Sequence, residues 1–139
     1  MATVIRAEIS EKNKYYVDKH RYYELKHFCL QYGEWKKAYA SCTESIIFAT
    51  NYEQIPGDGT PSDLTAKYAM LRAQYDEKIK LVEKIAMEAD DFLHTYILKA
   101  VTEGLSYPYL KGKLNIPCGR DMYYDRYRKF FWLLNQARN

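Results

Sequence analysis

Residues 105–134 read LSYPYLKGKLNIPCGRDMYYDRYRKFFWLL. Five tyrosines and six lysines or arginines fall within these thirty positions, around one interruption at Pro117 and Gly119. Ser106 suits an N-cap, Pro108 is tolerated in a first turn, and Leu110 and Leu114 stand one turn apart, so a short helix with both leucines inward is expected. It must stop before Pro117, because the residue preceding a proline avoids the α region. Residues 115–119 then form the turn, and Gly119 can begin the next helix. From about Arg120 to Ala137, Tyr123, Tyr127, Phe130, Phe131 and Leu134 recur at helical spacing, a face expected to pack across Leu110, Leu114 and Ile116. The expected unit is helix, tight turn, longer helix.

Outside this stretch the spacing is helical too. Asp18 is an N-cap candidate, Tyr22, Leu25, Phe28, Cys29 and Tyr32 share one face, and Gly33 is placed to stop that helix. A short second helix is expected over EWKKAYASC, where Trp35, Ala38, Tyr39 and Cys42 recur at i, i+3, i+4, i+7 and would set their aromatics against the preceding helix. NYEQIPGDGTPS holds two prolines and two glycines, the signature of a loop or hinge over 50–62. Thr60 then offers an N-cap, Pro61 suits the first helical position, and Asp63 sits where a capping-box acid belongs. Leu64, Tyr68, Leu71, Tyr75, Ile79, Val82, Ala86 and Ala89 continue one stripe, which predicts a helix nearly 40 Å long at ~1.5 Å per residue. Such a stripe serves as core, and its length also suits pairing with a second copy, so a homodimer is expected through it. Asp90 and Asp91 can cap a further helix over DFLHTYILKAVTE with Leu93, Tyr96, Ile97, Ala100 and Val101 inward, ended by Gly104. TVIRAEI, near the start, is the one candidate strand or extended arm. The fold class expected is all-α: a helical domain with a long central helix and a C-terminal helix-turn-helix. A lobe over 1–49, the loop over 50–62 and a second part over 63–139 are expected within one compact unit.

At 139 residues the chain can bury a core without disulfide or metal. No apolar run approaches the ~20 residues of a bilayer span, and MATVIRAEISEKNK lacks the apolar stretch of a secretory signal, which points to a cytoplasmic protein with no membrane role. Cys29, Cys42 and Cys118 have no CxxC pairing, and His20, His27 and His94 form no ligand set with them, so no metal site is expected. With no phosphate loop and no nucleophile constellation, the expectation is a protein without enzymatic activity and without a cofactor. The charge is uneven. Bases and acids balance through Thr60, acids prevail from Pro61 to Leu105, and from Ser106 onward seven bases face only Asp121 and Asp125, a surplus of five. A basic cluster of this kind is the footprint of nucleic-acid contact, although a solvated helix can also be basic.

ILKAVTEGLSYPYLKGKLNIPCGRDMYYDRYRKFFWLL resembles the C-terminal helix-turn-helix of phage late-gene regulators of the ArpU and RinA type, which are similar to the promoter-reading fourth region of sigma factors. DKHRYYELKHFCLQYGEWKKAY resembles an uncharacterised group of prophage proteins from low-GC Gram-positive bacteria. Asn115 stands where the regulators' turn usually carries glycine. In those regulators the residues after the turn enter the major groove, which carries over to Arg120, Asp121, Tyr124, Asp125 and Arg128. The resemblance implies a sequence-specific DNA-binding transcription regulator in a bacterial host cell, with double-stranded DNA as partner. Arg120, Tyr124 and Arg128 would contact bases; Lys111, Lys113, Arg126 and Lys129 would hold phosphates, which fix register without carrying sequence information. Against this stand Asp121 and Asp125 on the same face as Arg128, Lys129 and Trp132, each acid able to pair with Arg128 or Lys129. Trp132 packs on the N-terminal lobe, anchors a protein partner, or serves beside DNA. The alternative function is therefore a non-enzymatic phage anti-defence inhibitor, for example an anti-CRISPR, acting by protein–protein binding. Host RNA polymerase or a host defence complex would be the protein partner.

Overall fold

The computed structural model describes residues 13–52 and 63–139, and every regular element among them is α-helix. In chain order these are α1 (Lys19–Leu30), α2 (Tyr32–Tyr52), α3 (Asp63–Ala89), α4 (His94–Glu103), α5 (Tyr107–Leu114) and α6 (Arg120–Ala137). The all-α expectation holds. TVIRAEI and residues 53–62 of the expected loop, with Thr60 and Pro61, lie outside the described residues; residues 50–52 of that loop belong to α2. Two compact units are present, one of Met1–Gln31 with Leu81–Asn139, the other of Tyr32–Lys80. Their boundaries fall at 31/32 and 80/81, not in the 50–62 segment.

In the first unit α1 packs on α4 and α6, and α4 packs on α6. α1 starts where Asp18 Oδ1 accepts from the Lys19 N–H at 3.0 Å, and it buries Tyr22, Leu25, Phe28 and Cys29 as its spacing predicts. Gly33 is not the stop. The helix ends at Gln31, whose right-handed backbone (φ −82°, ψ −5°) needs no glycine, and Gly33 lies inside the first turn of α2. Val82, Ile85, Ala86 and Ala89, the last turns of α3, are buried, as are Leu93, Ile97, Ala100 and Val101 around α4. Gly104 ends α4 in the left-handed region, φ 70°, with its N–H donating to the Ala100 carbonyl. Aromatic rings fill the space between α1 and α6: Tyr22 meets Phe131 edge-on at 5.0 Å, and Phe131 meets Tyr127 and Phe130, each at 5.0 Å. The Tyr22 and Tyr127 hydroxyls lie 2.7 Å apart, so each buried ring keeps a hydrogen-bond partner for its polar end.

The second unit pairs α2 with the first two-thirds of α3. α2 is not short: its stripe continues from Trp35 and Cys42 to Ala49, and all three are buried. The aromatics of that stripe meet α3. Arg72 stacks over the Tyr39 ring at 4.7 Å and donates to its hydroxyl at 2.8 Å, and Lys78 Nζ lies 5.8 Å from the Trp35 ring centre. Those pairs run in opposite directions along the two helices, an antiparallel hairpin. Two helices alone cannot enclose a core. Tyr68, Leu71, Tyr75 and Ile79 are accordingly only half-buried, and Ile47, Phe48, Leu64 and Met70 are exposed.

Two glycines separate the effects of backbone conformation from those of space. A Cβ at Gly104 would meet Leu30 Cδ2 at an ordinary 3.6 Å, so strain there comes from the positive φ. Gly112, inside α5, has nothing within 4 Å and an ordinary helical backbone. Gly104→Ala should cost about 1 kcal/mol, whereas Gly112→Ala should add roughly 0.5–1 kcal/mol by restricting the unfolded chain. Urea denaturation of the two variants reads both signs.

Candidate nucleic-acid interface

α5 begins where Ser106 Oγ accepts from the Tyr109 N–H at 3.3 Å, with Pro108 in its first turn. It ends at Asn115, left-handed at φ 54°, whose N–H donates to the Leu110 carbonyl. Asparagine tolerates this region better than other non-glycine residues, so it does the work of the glycine usual in such turns. The Ile116 N–H also reaches the Leu110 carbonyl, at 3.1 Å, and Leu110 and Ile116 are fully buried; Leu114 is only half-buried. Tyr107 is buried and its hydroxyl donates across the turn to the Cys118 carbonyl at 2.8 Å. Gly119, extended, precedes α6 with no side-chain cap. The turn is thus closed from α5 at Leu110 and Tyr107.

α6 is fixed from beneath by Asp90. That carboxylate follows α3 and its side chain is 9% exposed. Oδ1 accepts from the Phe92 and Leu93 N–H groups at 2.8 and 2.9 Å, shaping the entry to α4, while Oδ2 takes the Arg126 Nε–H at 2.8 Å. Burial alone would push the Asp90 carboxyl up, but the Leu93 N–H, the Arg126 guanidinium and the Phe92 N–H together hold it below the usual carboxylate range. The hydrogen bond to Asp90 correspondingly raises Arg126. Asp125 pairs with the same guanidinium, so its partner is Arg126 and not the expected Arg128 or Lys129. Burial also holds the Tyr123 and Tyr127 phenols above their ordinary range and pushes the Cys29 thiol up to about 12.

These contacts redistribute the roles expected of α6. Tyr124 is 7% exposed, 5.2 Å from Tyr123 and 6.2 Å from Tyr107 between ring centres; it belongs to the core and offers no edge to a base. The angle of ~100° per helical residue explains this: Tyr124 lies beside Tyr127 and Phe131, so the apolar face is wider than the five residues that define it in sequence. Arg126, half-exposed, is expected to hold a phosphate, but its guanidinium is taken up by ion pairs with Asp90 and Asp125. Arg120 is exposed and lies over the rings of Tyr107 and Tyr124, at 5.2 and 5.8 Å. Lys111 and Lys113 are exposed on α5, and Arg128 and Lys129 are half-exposed on α6. None of these five bases makes an ion pair with a described residue. Trp132 is half-buried, 5.6 Å from Tyr15 in the segment before α1, so the packing alternative describes its surroundings. Exposed Phe92, Tyr109 and Met122 lie in the same unit.

Sequence reasoning missed Asp90, whose acid was read only as a helix cap; its partner is 36 positions away, and nothing local signals that pairing. Among the described residues no group of three or more His, Cys, Asp or Glu side chains is placed to hold a metal ion, and no helix is long and apolar enough to cross a membrane.

Asp90→Ala should cost about 2–4 kcal/mol, since two backbone donors and a charged partner lose their acceptor together. Asp90→Asn keeps an oxygen for the backbone and should cost about half as much. With its folded pKa below the unfolded ~3.9, Asp90 contributes stability that is present above about pH 4–5 and is lost as pH falls through the folded value. Thermal melts from pH 7 down to pH 3 should therefore show a smaller decline for Asp90→Asn than for the wild type.

Compared with protein-family models, curated proteins and solved structures, the chain matches none, so what it does is argued from this geometry.

Proposed function

We propose that the chain is a sequence-specific DNA-binding regulator that uses α5 and α6 as a helix-turn-helix, in the manner of the phage late-gene regulators its C-terminus resembles. The observation that carries the reading is the set of five bases on these two helices, Lys111, Lys113, Arg120, Arg128 and Lys129, which no described acid neutralises. Lys111, Lys113 and Lys129 hold phosphates. Arg120 and Arg128 face base edges, and Tyr124 and Arg126 support α6 from within. The tight turn at Asn115, which leaves α6 as the longer helix of the pair, suits the motif's geometry.

Binding to duplexes from the genome that encodes the protein, measured by fluorescence anisotropy over a salt series, tests this. Three phosphate contacts per chain give a slope of log K against log salt of about −3, and Lys129→Ala should reduce its magnitude by about one. Arg126→Ala should leave the slope unchanged while lowering the melting temperature. No preference for any duplex even at low salt sinks the reading. The protein-binding inhibitor then takes its place, with Trp132→Ala abolishing activity and the basic variants only slowing association.

A homodimer through α3 accompanies this reading, supported by the exposed Leu64 and Met70 and the half-buried Tyr68, Leu71 and Tyr75. Such a dimer would fit DNA with paired half-sites a helical turn or a multiple apart. Sedimentation equilibrium at tens of micromolar should give twice the chain mass; a monomer there removes the dimer and leaves single-site binding.

A further inference from the structure

We infer that the first turn of α6 reads a G·C pair, with Tyr107 and Tyr124 positioning Arg120 as the donor to guanine and Asp121 supplying the acceptor for cytosine; this rests on the DNA-binding reading above. Arg120 is the first residue of α6 and its guanidinium lies over two buried rings, Tyr107 at 5.2 Å and Tyr124 at 5.8 Å. Neither ring is free to turn away. Tyr107 is tied by its hydroxyl to the Cys118 carbonyl, and Tyr124 is wedged against Tyr123. A long side chain that would otherwise sample many rotamers is thereby held near one direction, with its N–H fork unclaimed by any described carboxylate. A guanidinium presented in that way matches the two acceptors of guanine, O6 and N7, bidentately.

Asp121 stands next on the helix, exposed, and makes no ion pair with a described residue. A carboxylate brought to a groove is repelled by the phosphates on both sides, so its presence weakens binding to DNA at large. Only a base amino group reverses the sign, and cytosine N4 is the donor a carboxylate accepts from. Asp121 therefore selects by penalising the wrong base as well as by contacting the right one. Asp125, the next acid along the helix, does not act in the same way, because Arg126 occupies it.

Selection of bound duplexes from a random-sequence library by the full chain, followed by sequencing, tests the assignment. The wild type should enrich a G·C pair in one fixed strand orientation within the recovered site. Arg120→Ala should cut the preference for guanine by roughly five- to 150-fold, the range of one bidentate contact. Asp121→Asn should weaken the preference for cytosine while guanine, still held by Arg120, limits any change to adenine, and it should raise affinity for unrelated duplexes because the repelling charge is gone. Tyr124→Phe should leave guanine selection intact, since the ring remains; Tyr124→Leu should relax it, and a fold that fails in that variant is replaced in the test by Tyr107→Phe, which frees the ring from Cys118. An enriched sequence whose base preferences survive Arg120→Ala and Asp121→Asn unchanged overturns this assignment while DNA reading stands. No enriched sequence and no salt-dependent binding overturn both.

Discussion

The arrangement of the first unit depends on a single carboxylate. Asp90 is nearly enclosed, and an acid in that position is tolerated only if its charge and lone pairs are met. It meets three donors from two places in the chain, the backbone of the turn into α4 and the guanidinium of Arg126 in the middle of α6. Each requirement restricts the other. If the turn shifts, Oδ2 leaves the guanidinium; if α6 rotates, an arginine and an aspartate are left opposed to apolar surroundings. Apolar packing alone is non-directional and would permit α6 to slide by a fraction of a turn. The directional contacts of Asp90 specify one placement, and the surface that α6 presents follows from it.

Around that fixed point an aliphatic core is joined by several buried tyrosines. Tyr22, Tyr107, Tyr123 and Tyr124 are buried, and such rings add large apolar area while retaining a polar atom that must be satisfied. The Tyr22–Tyr127 hydroxyl pair and the Tyr107 bond to Cys118 satisfy two of these hydroxyls, and that of half-buried Tyr127, inside the protein. Hydroxyl pairing also sets register between α1 and α6, much as Asp90 does between the α4 entry and α6. Arg21 adds a third tie, donating to Asn135 Oδ1 at 2.7 Å and to the Arg138 carbonyl at 3.2 Å. A core of leucines with the same volume would fill the space without these directional constraints.

The 3.6-residue spacing was sufficient to find α1, α3, α4, α5 and α6 and the buried face of α1, but it held only for the last turns of α3 and drew the α6 face too narrow; local chemistry found most ends: Asp18, Gly104, Ser106 and the turn at Asn115. Spacing failed where breaking residues mislead. Gly33 reads as a stop but needs a left-handed backbone to act as one, and Gln31 supplies a right-handed junction before it. The stripe read over EWKKAYASC ended at Cys42, yet Ala49, one further heptad on, is buried and keeps it in register. At the candidate site, exposure was legible for Lys111, Lys113 and Arg120, and the true partners of Tyr124 and Arg126 were not. Tyr124 is amphipathic, so sequence gives no sign of which end prevails. Arg126 is bound by an acid 36 positions away in sequence, and pairings at that separation leave no periodic trace.

That last point changes how the basic surplus is understood. The sequence places seven bases after Ser106, but two of them are engaged within the protein: Arg126 with Asp90 and Asp125, and Arg138, itself exposed, with its guanidinium 3.6 Å from the centre of the Phe28 ring. Their charge serves cohesion, and at the surface it is partly cancelled by Asp90 and Asp125. Lys111 and Lys113 on α5, Arg120 at the start of α6, and Arg128 and Lys129 farther along it are left on these two helices without an acid partner among the described residues, with Asp121 as the opposing charge. A field of this size steers and positions a polyanion, but it is too small to hold one regardless of sequence. On the proposed DNA-binding reading, affinity then comes from complementary contacts at particular positions. The few side chains held rigid at the surface, Arg120 on its two rings foremost among them, therefore matter more than the total charge.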